Sequence, residues 1–96
     1  MAMSDIQKYA FYNFISAGDG YMKDAELNLS FKDISSARNQ IWHAISCYEK
    51  AVELATDEND VRAEIARRDL REAKNKFEKV TEMQKDAKSD DKEMAN

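Results

Sequence analysis

Residues 34–55 read ISSARNQIWHAISCYEKAVELA, and this stretch decides the fold. Its apolar and small residues recur at alternating spacings of three and four, which is the heptad stripe of one helix face. The stripe comprises Ile34, Ala37, Ile41, Ala44, Tyr48, Ala51 and Ala55. Trp42, Ile45 and Val52 form a second apolar strip beside it, so we expect this helix to contact neighbours on two sides.

The composition of the rest of the chain favours an all-α fold. The chain has 96 residues, with no proline and only two glycines. A β-protein needs turn residues at roughly every 8–12 positions, and they are missing here. This length makes one small domain, able to bury about 60% of its unfolded surface.

A first helix is predicted over about residues 5–29. Ser4 and Gln7 have the spacing of a capping box, in which each side chain bonds the other residue's backbone N–H. Gly18 and Gly20 interrupt the pattern, but its phase continues past them, which favours one long helix, bent or straight, over two. Its predicted inward face comprises Ile6, Tyr9, Ala10, Phe14 and Ala17.

Two more helices complete the prediction. Ser30 or Asp33 is expected to cap the second helix. The short polar link over residues 56–60 implies that the helices it joins are antiparallel. The third helix is predicted over about residues 59–85, with Ala66, Leu70, Ala73, Phe77 and Val80 in its stripe. We therefore predict an antiparallel three-helix bundle with a long third helix, a single helical domain over residues 1–85, and a disordered charged tail over residues 86–96.

The charge pattern disfavours nucleic acid as a partner. The net charge is −4, and the basic residues show no excess in any third of the chain. No apolar run is long enough to span a membrane, and no secretory signal is visible. The single Cys47 excludes an intrachain disulfide and fits a reducing compartment. We expect a cytoplasmic protein with no membrane partner.

Few residues are arranged for chemistry. His43 and Cys47 lie four residues apart, a spacing that can hold a metal, but no third ligand accompanies them. Gly18, Asp19 and Gly20 make too short a pattern for a phosphate or calcium loop. We therefore predict no metal site, no cofactor and no catalytic residues.

Part of the chain resembles a known interaction module. Small residues at Ala37, Ala44 and Ala51, with Tyr48 one turn away, are similar to the second helix of a tetratricopeptide-type hairpin over about residues 32–55. The tryptophan, glycine and proline positions of a full repeat are absent. The resemblance implies peptide or protein binding.

A second resemblance implies an enzyme. The segment RNQIWH, from Arg38 to His43, resembles the arginine–histidine motif of HEPN-type ribonucleases. That family's mechanism implies a dimer, with His43 in proton transfer, Arg38 on the phosphate and no metal.

Taken together, the sequence predicts a small protein–protein interaction module without catalysis of its own: an adaptor, an assembly subunit or an inhibitor of a larger complex. The large number of aromatic rings predicts that some are exposed, and we expect a homodimer, because homodimerisation is the simplest use of such a surface. The predicted partner-binding residues are Tyr9, Tyr12, Trp42, Arg67, Arg71 and Lys74. The alternatives are the ribonuclease and a nucleic-acid-associated subunit that uses the basic residues of the third helix, whose interleaved acids otherwise predict a solvated face of ion pairs.

Overall fold

The protein is three antiparallel α-helices. The computed structural model describes residues 3–57 and 60–94, with side chains as far as residue 86. The helices are α1 (Asp5–Ser30), α2 (Ile34–Leu54) and α3 (Val61–Met94), and the described residues include no strand. The molecule is a narrow rod with Cα extents of 60 × 19 × 14 Å. The prediction of an all-α three-helix bundle with a long third helix is confirmed.

Local hydrogen bonds define the ends of α1 and the start of α2. The Ser4 N–H donates to Gln7 Oε1 at 2.8 Å, and the Gln7 N–H donates to Ser4 Oγ at 3.2 Å, which is the predicted capping box. At the end of α1 the Lys32 backbone turns into the left-handed region, with φ 62°. Asp33, rather than Ser30, caps α2 by accepting a bond from the Ser36 N–H at 3.1 Å.

The helix α2 packs against both α1 and α3. The predicted stripe of α2 is confirmed, since all its members are buried except Ile34, which is half-buried. On α3 the buried side chains are those of Ala63, Ala66, Ala73 and Val80. Most of these side chains are alanines, and small side chains at a contact let helices pack closely.

The predicted inward face of α1 is wrong at three of its five positions, whereas Phe14 packs against the core. The residues of α1 that are buried are Phe11, Gly18 and Ala25. Ile6, Tyr9 and Ala17, which were predicted to point inward, are exposed. The prediction of one continuous helix across Gly18 and Gly20 is confirmed, and Gly18 lies against the ring of Tyr48. The glycine is a packing position, which the periodicity of large apolar residues does not register.

The backbone of helix α3 continues beyond its last described side chain, that of Asp86. Val80 is the last fully buried residue of α3 among the described side chains. Residues 86–94 have helical backbone, and Ala95 and Asn96 lie outside the described residues. Since the described side chains end at Asp86, the disordered tail over residues 86–96 stays a prediction.

Candidate functional site

The most distinctive surface lies where α2 meets α3. The Trp42 side chain is 57% exposed, and its ring centroid lies 5.7 Å from that of Phe77. Arg38, one turn earlier on α2, places its guanidinium carbon 4.7 Å from the Phe77 ring centroid, within cation–π range. Its Nε donates to Thr81 Oγ1 at 3.0 Å. We call Arg38, Trp42, Phe77 and Thr81 the Trp42 surface.

Arg38 is held in place by its contacts, but its positive charge is not paired with a carboxylate among the described side chains. Among the side chains that the structure describes, the ion pairs are Arg62 with Asp60 and Arg68 with Asp69, so Arg38 has no carboxylate partner. Arg38 lines an open depression of about 520 Å³ together with Ser35 and Asn39. An oriented, unpaired guanidinium beside an exposed indole can bind a carboxylate and an apolar group together.

A basic strip continues this surface along α3. Arg67, Arg71 and Lys74 are exposed and line a second depression, of about 410 Å³. Lys74 lies three residues before Phe77, so the strip ends one turn from the Trp42 surface. None of the three forms an ion pair with a described side chain, so the predicted face of ion pairs is absent there.

The structure separates the six predicted partner-binding residues into two groups. The packing of α2 on α3 places Trp42 against Phe77, one turn of α3 from the end of the basic strip at Lys74. Tyr9 and Tyr12 are exposed but lie on α1 near its start, where Phe11 packs between the end of α2 and the start of α3. Sequence reasoning did not assign Phe77 to a site, because its place in the α3 stripe indicated core.

Arg38 and His43 lie on different sides of α2. His43 stacks on Tyr21 of α1, with ring centroids 5.3 Å apart. Arg38 packs on Phe77 of α3. Within one chain they do not share a site, and the dimer that the ribonuclease resemblance implies would have to bring them together. The ribonuclease stays a prediction.

A buried hydroxyl connects α2 with α1. Tyr48 Oη donates to Asp19 Oδ1 at 2.6 Å. Burial, and then this hydrogen bond, raise the pKa of Tyr48 far above its usual range, so the phenol stays protonated. Asp69 of α3 lines the same groove, and burial raises the pKa of its carboxyl above the usual value. The groove is a structural contact between helices, with one partly buried hydrogen bond.

Comparisons with known proteins give no family for this chain. No protein-family model, curated protein or solved structure matches it significantly. None of the helices, over the residues described, is both long and apolar enough to cross a membrane. Among those residues no three His, Cys, Asp or Glu side chains are grouped to hold a metal ion.

Proposed function

We propose that this chain is a protein-binding module that acts by association and has no catalysis of its own, as an adaptor, an assembly subunit or an inhibitor of a larger complex. Its partner is a protein segment that carries carboxylates next to an apolar or aromatic side chain. One observation carries the proposal: Trp42 is largely exposed beside Arg38, which has no carboxylate partner among the described side chains.

The chemistry of this surface matches that of protein–protein contacts. Tryptophan and arginine are the residue types most enriched among those that dominate binding energy. Trp42 and Phe77 offer an aromatic platform. Arg38 is already oriented by its bond to Thr81, so little rotamer freedom is lost when it binds a carboxylate.

The basic strip extends the contact. Because Arg67, Arg71 and Lys74 lack ion-pair partners among the described side chains, an acidic segment lying along α3 would gain several favourable charge contacts. The likeness of residues 32–55 to a tetratricopeptide-type hairpin supports the same class of function. The chain as a whole has a net charge of −4, so this surface is a local exception.

The test is a selection from a library of random peptides displayed on phage, with the full chain as bait. We expect enrichment of peptides that combine Asp or Glu with an aromatic residue, and binding that weakens as salt rises. Trp42→Ala and Arg38→Ala should each lower the affinity of a selected peptide at least tenfold. Tyr9→Ala, which removes an exposed ring elsewhere, is the matched control and should leave the affinity unchanged.

Stability must be measured beside affinity. Trp42→Ala should change the melting temperature little, because much of the side chain is already in water. Selection of peptides without acidic residues, or equal affinity for the wild-type chain and Trp42→Ala, would refute the proposal. Binding of duplex DNA or RNA that depends on Arg67 and Arg71 would instead support the nucleic-acid alternative.

A further inference from the structure

The outer face of α1 carries a second heptad stripe, which is exposed at every position except Ala10, a half-buried residue. Positions 6, 10, 13, 17, 20, 24, 27 and 31 follow alternating spacings of four and three residues. The large apolar side chains lie toward its ends, where Ile6 is 82%, Leu27 57% and Phe31 74% exposed. A solvent-exposed heptad stripe of this length is typical of a helix that packs against another helix.

The residues at the centre of the stripe are mostly small, and they leave a depression in the surface. Ala17, Gly20 and Asp24 line an open depression of about 290 Å³, with Tyr21 at its side. A Cβ placed on Gly20 would meet no atom within 4 Å, so no neighbour in this chain requires a glycine there. Small residues at a helix surface let a second backbone approach closely. The partner that this face fits is therefore a helix.

We propose that this partner is the α1 helix of a second copy of the chain, packed antiparallel about a two-fold axis between positions 18 and 19. Such an axis sets position 6 against 31, 10 against 27, 13 against 24 and 17 against 20. Ile6 then meets the second copy's Phe31, and Ala17 meets the second copy's Gly20. Every member of the stripe has a counterpart, as a two-fold interface requires.

Charge selects the antiparallel arrangement over the parallel one. In a parallel pair the Asp24 carboxylates of the two copies would lie opposite each other, and like charges that face each other across a helix contact repel. In the antiparallel pair each Asp24 carboxylate lies opposite the amide of the second copy's Asn13, which can donate a hydrogen bond to it. Neither residue has a hydrogen-bond partner among the described side chains, and the stripe contains no other charged residue.

The size of the contact indicates a reversible dimer. A 26-residue helix is about 39 Å long and about 10 Å wide, so two copies would bury roughly 800 Å² or somewhat more. This area falls in the class of weak and transient complexes, for which micromolar dissociation constants are expected. The Trp42 surface lies on the α2–α3 side and stays open in such a dimer. The dimer therefore does not depend on the proposed partner binding, and either can fail alone.

The first experiment is sedimentation velocity of the full chain over a range of concentrations. The wild-type chain should pass from monomer to dimer in the micromolar range. Ala17→Glu and, as a second variant, Leu27→Glu should stay monomeric at every concentration, with unchanged melting temperatures because both positions are exposed. Asn75→Glu adds the same charge on the exposed side of α3 and should dimerise like the wild type.

The second experiment tests the register with disulfides, in chains that carry Cys47→Ser. An equimolar mixture of the Ala17→Cys and Gly20→Cys chains should form the mixed disulfide faster than either chain forms its own. Faster formation of the two symmetric disulfides would overturn the antiparallel arrangement. A wild-type chain that is monomeric throughout, a dimer that survives Ala17→Glu, or one lost in Asn75→Glu would overturn the proposed interface itself.

Discussion

The substitution Gly18→Ala should reveal how closely α1 and α2 pack. A Cβ on Gly18 would lie 2.5 Å from Tyr48 Cε1 and 2.8 Å from Tyr48 Cζ, well inside the 3.5–4.0 Å at which carbon atoms make good contact. The ring has little room to give way, because it is 3% exposed and its hydroxyl is bonded to Asp19. One helix, or the ring, must therefore shift.

The magnitude follows from two opposing effects. Alanine is favoured over glycine in a helix interior by about 1 kcal/mol. Overpacking of a well-packed core costs about 1–3 kcal/mol. Gly18→Ala should therefore be neutral or lower the free energy of unfolding by up to about 2 kcal/mol. The matched control is Gly20→Ala, two residues away in the same helix, where an added Cβ meets nothing and stability should rise by about 1 kcal/mol.

The assay is urea unfolding followed by circular dichroism, at low protein concentration so that self-association does not contribute. Helix propensity contributes equally to both variants, so it drops out of the difference between their free energies of unfolding. What remains is the steric cost at position 18, which we expect to be about 1–3 kcal/mol. In a double-mutant cycle with Tyr48→Leu, which removes the ring, the steric cost of Gly18→Ala should largely disappear. Equal effects of Gly18→Ala and Gly20→Ala would refute the reasoning.

Three further substitutions have defined outcomes. Tyr48→Phe removes the hydrogen bond to Asp19 and should lower the free energy of unfolding by about 1 kcal/mol, with no loss of helix content; no change would mean that the bond does not form in solution. Lys32→Gly relieves a left-handed backbone and should raise the melting temperature by about 4–8 °C, whereas Lys32→Ala should not. Because the pKa of Asp69 is raised, its charged carboxylate lowers the free energy of unfolding at pH values above that pKa. This destabilisation decreases as the pH falls toward 3.8, the ordinary pKa of the carboxyl. Asp69→Asn should therefore be more stable than the wild type at pH 7, with an advantage that shrinks on acidification; an advantage that is constant with pH would count against burial as its cause.

The sequence predicted the buried face of α2 better than that of α1. The helix α2 has one heptad stripe and a shorter strip beside it, so the periodicity left little choice of inward face. In contrast, α1 has two stripes of similar length, one through Phe11, Gly18 and Ala25 and the other through Ile6. Hydrophobicity favoured the stripe through Ile6, because its side chains are larger. The stripe through Gly18 is the one that faces the core, because the glycine leaves room for the ring of Tyr48. Only the packing of two helices decides between them.

Some features of the candidate site could be predicted from the sequence, and others could not. Trp42 and the basic strip were predicted because exposure and charge can be judged from a single helix face. The contact between Arg38 and Phe77 was not, because it depends on the register of α2 against α3. That register comes from the length of the link between them and from the fit of small side chains in the core, neither of which a periodic pattern contains.

The alanine-lined core has a consequence for how this protein can diverge. Alanines make up eight of the buried hydrophobic residues described, and many of the large apolar residues are at the surface. A buried alanine can be exchanged only for glycine or serine without pushing helices apart. We expect relatives that keep this fold to retain small residues at positions 18, 25, 37, 44, 51, 66 and 73. Their large apolar residues should vary more freely, so the family's signature would be its small residues.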